Sequence, residues 1–198
     1  MVRLYLPFDS REKGMKKTVL IFGLISGAVS SIMMIATVPF ADKFGYDKGA
    51  YVVGYTAIVL SFLLVYFGIR SYRDNAGNGH ITFAKAFAVG ILITLISCIF
   101  YVVTWEVIYF NFMHDFMDKY GTHTIEKLKA SGVSAATVQA QVEHLKKFKE
   151  LYENPFFNAA MTFIEPFPVG LAISLISAAV LRKKPRSQPA QSPLQASS

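Results

Sequence analysis

The run AFAVGILITLISCIFYVVTW, residues 86–105, holds twenty consecutive residues without a charge. A hydrocarbon core about 30 Å thick takes roughly 20 helical residues to cross, so this stretch reads as a membrane-spanning helix. Working outward, three comparable runs extend from Thr18 to Ala41, Tyr51 to Ile69 and Asn154 to Leu181, and only the last contains a charge, Glu165. The expected fold is therefore all-α. Residues 18–181 form a four-helix transmembrane bundle, and an insert at 111–153 forms an extracytoplasmic helical hairpin between spans three and four. Residues 1–17 read as a cytoplasmic N-terminal segment and residues 182–198 as a disordered cytoplasmic tail rich in Pro, Gln, Ser and Ala.

Charge sets the orientation. Twelve basic residues and three acidic ones flank the spans on the side that carries both termini, whereas eight basic and eight acidic residues lie on the other. Basic residues near span ends favour the cytoplasm, which places both termini inside and the long third loop outside. The net charge of +7 sits beside spans and not along a soluble face, which excludes a nucleic-acid partner. The expected surroundings are the lipid bilayer of a bacterial inner membrane, crossed several times. Arg70, Arg73, Trp105, Arg182, Lys183 and Lys184 read as headgroup anchors.

The lone cysteine, Cys98, rules out an intramolecular disulfide and a cysteine metal site. At the start of the chain, Met15-Lys16-Lys17 before an apolar run resembles an initiation point, so residues 1–14 read as a start-site extension. A signal peptide ending at Ala41 is the weaker alternative, because the apolar run is long and Pro39 suits a cleavage site poorly.

Local signals divide the rest. Pro39 ends span one, and residues 42–49 form a short connection. Arg70 to Gly79 reads as a tight cytoplasmic loop. Span three is expected to continue as helix through Asp115 and Tyr120 towards Leu128. Ser131-Gly132-Val133-Ser134 then breaks it, and Ser134 caps a second helix to about Glu153 with Val138, Val142, Leu145 and Phe148 on one face. Small residues recur at four-residue spacing in Gly23/Gly27/Ser31, Ala86/Gly90/Thr94 and Gly170/Ser174/Ala178. Such rows let helices approach closely in lipid, which favours a compact bundle and leaves a homo-oligomer through one of these faces open.

Two carboxylates stand out as candidate functional residues, Glu106 and Glu165, because a charge near hydrocarbon is costly unless paired, hydrated or protonated. At about 1.5 Å per residue both fall in the outer part of the bilayer, in one layer. With Pro166 and Pro168 behind it, Glu165 is expected to cap a helix that starts at Pro166, after a separate helix at 154–164; a kinked continuous span is the alternative. His114, Asp115 and Asp118 match no established metal spacing, and no catalytic motif is present. No catalytic residue, cofactor or metal is implied.

Gly68-Ile-Arg-Ser-Tyr-Arg-Asp74, Ile81-Thr-Phe83 leading into Ala86-Phe-Ala-Val-Gly90, Tyr101 to Trp105, and Glu165-Pro-Phe-Pro-Val-Gly-Leu171 running to Ala178 stand in an order that resembles domain-of-unknown-function family 4199, an uncharacterised bacterial membrane family. The resemblance covers about Met15 to Lys184 and implies four spans with an insert after the third. It implies no activity and transfers no functional residue. The resulting expectation is a noncatalytic accessory or interaction component; the rival is a small proton- or cation-coupled transporter or channel subunit using Glu106 and Glu165.

Overall fold

The structure, a computed structural model, describes residues 8–37 and 48–183. They form seven helices: α1 Phe8–Thr37, α2 Lys48–Asn75, α3 Phe83–Phe112, α4 Phe116–Ala130, α5 Ala135–Tyr152, α6 Pro155–Ile164 and α7 Pro166–Leu181. Among the described residues there is no β-strand, only an isolated antiparallel bridge between Ile81 and Lys183. The span-one end at Pro39, most of the 42–49 connection, residues 1–7 and the tail from Lys184 onward lie outside the described residues.

Four helical segments are long and apolar enough to cross a membrane: Glu12–Thr37, Val52–Asn75, Phe83–Phe112 and Pro155–Leu181. Helix is the natural state for such segments, since lipid offers the backbone no hydrogen-bonding partner. Span one lies in α1, span two in α2 and span three in α3, while α6 and α7 together make span four. Spans one and four occupy opposite corners, with spans two and three between them and touching each other.

Two boundaries differ from the sequence expectation. Arg70 and Arg73 are not in a loop, because α2 continues to Asn75. Its last turns are held by buried Tyr72 and by Asp74, which pairs with Arg73 at 2.8 Å and Arg70 at 3.7 Å. The third helix does not run on to Leu128 but stops at Phe112, where the Met113 N–H reaches back to Ile108 O. An unbroken helix would separate Trp105 and Phe116 by about 16 Å. Their rings are 5.1 Å apart, so the chain bends sharply and the first residue of α4 packs on the end of span three. The second break is as expected: Gly132 takes the left-handed conformation (φ +74°) and Ser134 Oγ accepts from Thr137 N at 3.2 Å.

The small-residue rows are used inside the chain. Gly23 and Gly27 lie against Ile96 and Phe100 of span three, and Ser31 shares a 2.7 Å hydrogen bond with Thr104. Rows on spans three and four face each other: Thr94 Oγ1 is 3.1 Å from Ser174 Oγ and donates to Gly170 O at 3.4 Å. Buried hydroxyls from all four spans follow this axis, and most bond a backbone carbonyl. Ser26 crosses from span one to Ser61 O at 2.9 Å, while Ser61 and Ser97 bond Ala57 O and Ile93 O on their own helices. Hydroxyls satisfied in this way hold helices together in lipid without needing water. Towards the termini the interior turns apolar and closes on Val65, Ile69, Val89 and Ile93, all fully buried.

Candidate functional site

Span four is interrupted at the carboxylate singled out above. Asn154 caps α6, its Oδ1 accepting from the amides of Phe156 (2.9 Å) and Phe157 (3.3 Å), with Pro155 in the first turn. Pro166, which has no N–H to donate, opens α7. Glu165 stands between the two helices, as expected, with helical backbone angles. Its side chain does not cap α7. The Tyr101 hydroxyl of span three donates to Glu165 Oε2 at 2.9 Å instead.

Tyr101, Trp105 and Tyr109 follow one another at four-residue spacing, so they line one face of α3. Trp105 Nε1 donates to the Tyr152 hydroxyl at 3.0 Å, and the Tyr109 and Tyr152 rings meet edge to face at 5.3 Å. Asn158, fully buried on α6, donates to Tyr152 O at 3.2 Å and accepts from Thr162. Phe148 packs on Tyr152 and Phe157. The last turn of the hairpin is thereby seated on spans three and four, one helical turn outside Glu165. Burial pushes the Tyr152 phenol above its usual range, so it stays neutral and can accept from the indole.

Glu106 is one position round the helix from Trp105 and does not reach Tyr101's partner. Its Oε1 is buried and has no hydrogen-bond partner among the described residues.

Tyr101 also borders two small cavities. One, about 10 Å³, is lined by Ser30, Ser61, Ser97, Pro166 and apolar neighbours. The other, about 60 Å³, lies between spans one and two against Met33, Met34, Thr37 and Gly54. The first holds one water at most and the second a few. We expect Tyr101→Phe to destabilise the protein by about 2 kcal/mol, since it strips Glu165 of its donor. Glu165→Gln, whose amide oxygen can still accept, should cost less. A double-mutant cycle from chemical unfolding in detergent should then show coupling; additive losses would mean that the bond contributes nothing.

The remaining candidates are scattered. Arg70 and Arg73 ride on the end of α2, while Arg182 and Lys183 follow α7 on the same rim; Lys184 lies outside the described residues. On the hairpin side Asp115 pairs with Lys119 at 3.0 Å, which holds its carboxyl below the usual range, and Asp118 pairs with Lys149. Among the described residues no three His, Cys, Asp or Glu side chains gather as a ligand set. Sequence reading missed Tyr101, Tyr152, Asn158 and Thr162 as parts of the site. The only available signal was the Tyr101/Trp105/Tyr109 spacing.

The profile of a protein family of unknown function, DUF4199, matches residues 21–183, from span one to the bridge at Lys183. The chain belongs to the DUF4199 family. In this DUF4199 protein the match takes in most of span one, the other three spans, the hairpin and the Tyr101–Glu165 pair. No curated protein and no solved structure matches the chain.

Proposed function

We propose that this protein is a noncatalytic accessory or interaction component of a bacterial inner membrane, with both termini in the cytoplasm and the α4–α5 hairpin outside. One observation carries the reading: the half of the bundle nearer the termini is packed on Val65, Ile69, Val89 and Ile93, all fully buried, which speaks against a substrate path through the described residues of one copy. The hairpin, by contrast, offers surface. No residue of α5 is fully buried, α4 buries only Met117, and Val142 and Leu151 remain exposed.

A photo-crosslinker at Val142 is expected to give discrete protein adducts in cells, whereas one at lipid-facing Ile99 should give none. Equal labelling at both positions would sink the reading.

The second reading, a proton- or cation-coupled transporter or channel subunit, is supported by the unpartnered Glu106 Oε1 and the cavity of about 60 Å³ beside Tyr101. Proteoliposomes should show no proton or cation flux above empty vesicles. Flux that Glu165→Gln abolishes would replace the first reading with the second.

A further inference from the structure

The rim carrying the end of α2 and the start of α3 is built more firmly than a connecting loop requires. Asn78 and Gly79 both take positive φ (51° and 76°), and the turn is closed by Gly79 N→Arg73 O and His80 N→Gly77 O, each 3.0 Å. The chain after span four is then stapled to it. Ile81 N donates to Lys183 O at 3.0 Å and Lys183 N to Ile81 O at 2.9 Å, above buried Ile81 and Leu181. An antiparallel bridge at this register sets Arg182 opposite Thr82. Thr82 caps α3 by accepting from the Lys85 amide at 3.4 Å.

The bridge thus brings Lys85, Arg182 and Lys183 to the same end of the bundle. All three are exposed and have no ion-pair partner among the described residues. Two acids of this rim are already engaged, Glu12 by Lys16 at 2.9 Å and Asp74 by Arg73 at 2.8 Å. The hairpin end differs, because there lysines and carboxylates are equal in number. The three cations also sit where the apolar spans stop. Leu181 is the last residue of α7, and Phe83 at the start of α3 is 41% exposed and stacked on Phe87. A ligand here meets three exposed cations and an exposed aromatic side chain, Phe83.

We propose that Lys85, Arg182 and Lys183, held by the Ile81–Lys183 bridge, form a docking surface for the phosphate headgroup of an anionic phospholipid. The charge calls for an anion, and the exposed Phe83 beside it calls for one attached to acyl chains. The inference does not depend on whether the bundle acts as an accessory or a transporter.

Thermal unfolding in a zwitterionic detergent tests it, with phosphatidylglycerol titrated against phosphatidylcholine and inorganic phosphate. Phosphatidylglycerol should raise the melting temperature of the wild type, and neither of the others should. The variant Lys85→Gln/Arg182→Gln/Lys183→Gln should need at least about tenfold more phosphatidylglycerol for the same shift. The matched hairpin variant Lys129→Gln/Lys146→Gln/Lys147→Gln should respond like wild type. A rim variant that responds like wild type, a hairpin variant that loses the response equally, or a shift reproduced by inorganic phosphate would each overturn the proposal. Native mass spectrometry of the wild type gives a reading that needs no variant: phosphatidylglycerol should be retained in preference to phosphatidylcholine, and equal retention would overturn it as well.

Discussion

Gly170→Ala is expected to destabilise the bundle by about 3 kcal/mol, the upper end of what overpacking one methyl into a tight core costs. A Cβ at this position would stand 2.3 Å from Thr94 Cγ2 and 2.9 Å from Phe62 Cζ. Neither neighbour has room to retreat, since Thr94 is fully buried and Phe62 almost so. Thr94 is also held by its hydrogen bonds to Gly170 O and Ser174. The same substitution at Gly54, where a Cβ would meet nothing within 4 Å, should be neutral or slightly stabilising. Thr94→Ser deletes the clashing methyl and keeps the hydroxyl, so it should recover part of the loss when combined with Gly170→Ala. Unfolding midpoints of the four proteins in one detergent decide the matter. If Thr94→Ser rescues nothing, the contact between spans three and four is not the source of the loss.

The second large effect falls on the turn at the opposite end from the hairpin. Gly77→Ala should also cost about 3 kcal/mol. Its Cβ would lie 2.3 Å from His80 O and 2.8 Å from Arg73 O. Arg73 O already accepts from the Gly79 amide, so moving it breaks a hydrogen bond that closes the turn. A flexible side chain could swing aside, but a carbonyl within a closed turn cannot. The damage should be local at first. Amide exchange at Ile81 and Lys183 should speed up well before exchange in α3 does, because their mutual bridge depends on where the turn leaves the chain. Uniform acceleration across the protein would show that the turn and the bundle unfold as one unit.

The spans were legible because hydrocarbon excludes charge, so a run such as residues 86–105 has little other use. The hairpin's tip was legible for a different reason, since Gly132 and Ser134 carry the local chemistry of a turn and a cap. The end of span three was not. Met113, His114 and Asp115 include neither glycine nor proline, and the break there is imposed by a tertiary contact between Trp105 and Phe116. Arg70 and Arg73 misled for a related reason: a polar stretch with glycines beyond it resembles a loop, while buried Tyr72 keeps it helical.

The candidate site was half legible. Glu165 betrays itself as a charge in an apolar run. Its partner Tyr101 does not, because tyrosines are common in spans and the two residues are 64 positions apart. Asn158 and Tyr152 gain their roles only once α6 and the hairpin are folded together. Glu106 differs again, since the sequence marks it out but no described residue answers its buried oxygen.

The bridge between Ile81 and Lys183 also bears on how the protein is made. Spans one to three leave the ribosome first and can seat Ile96 and Phe100 over Gly23 and Gly27 before span four exists. At that stage Thr94 and Ser97 lack their covering helix and present hydroxyls to lipid. Only when span four has packed against spans two and three can Lys183, just past it, pair with Ile81. Closure of this two-bond clasp therefore marks a completed four-span bundle. A chain stalled earlier would keep its polar seam open, where a membrane chaperone or an intramembrane protease could recognise it as incomplete.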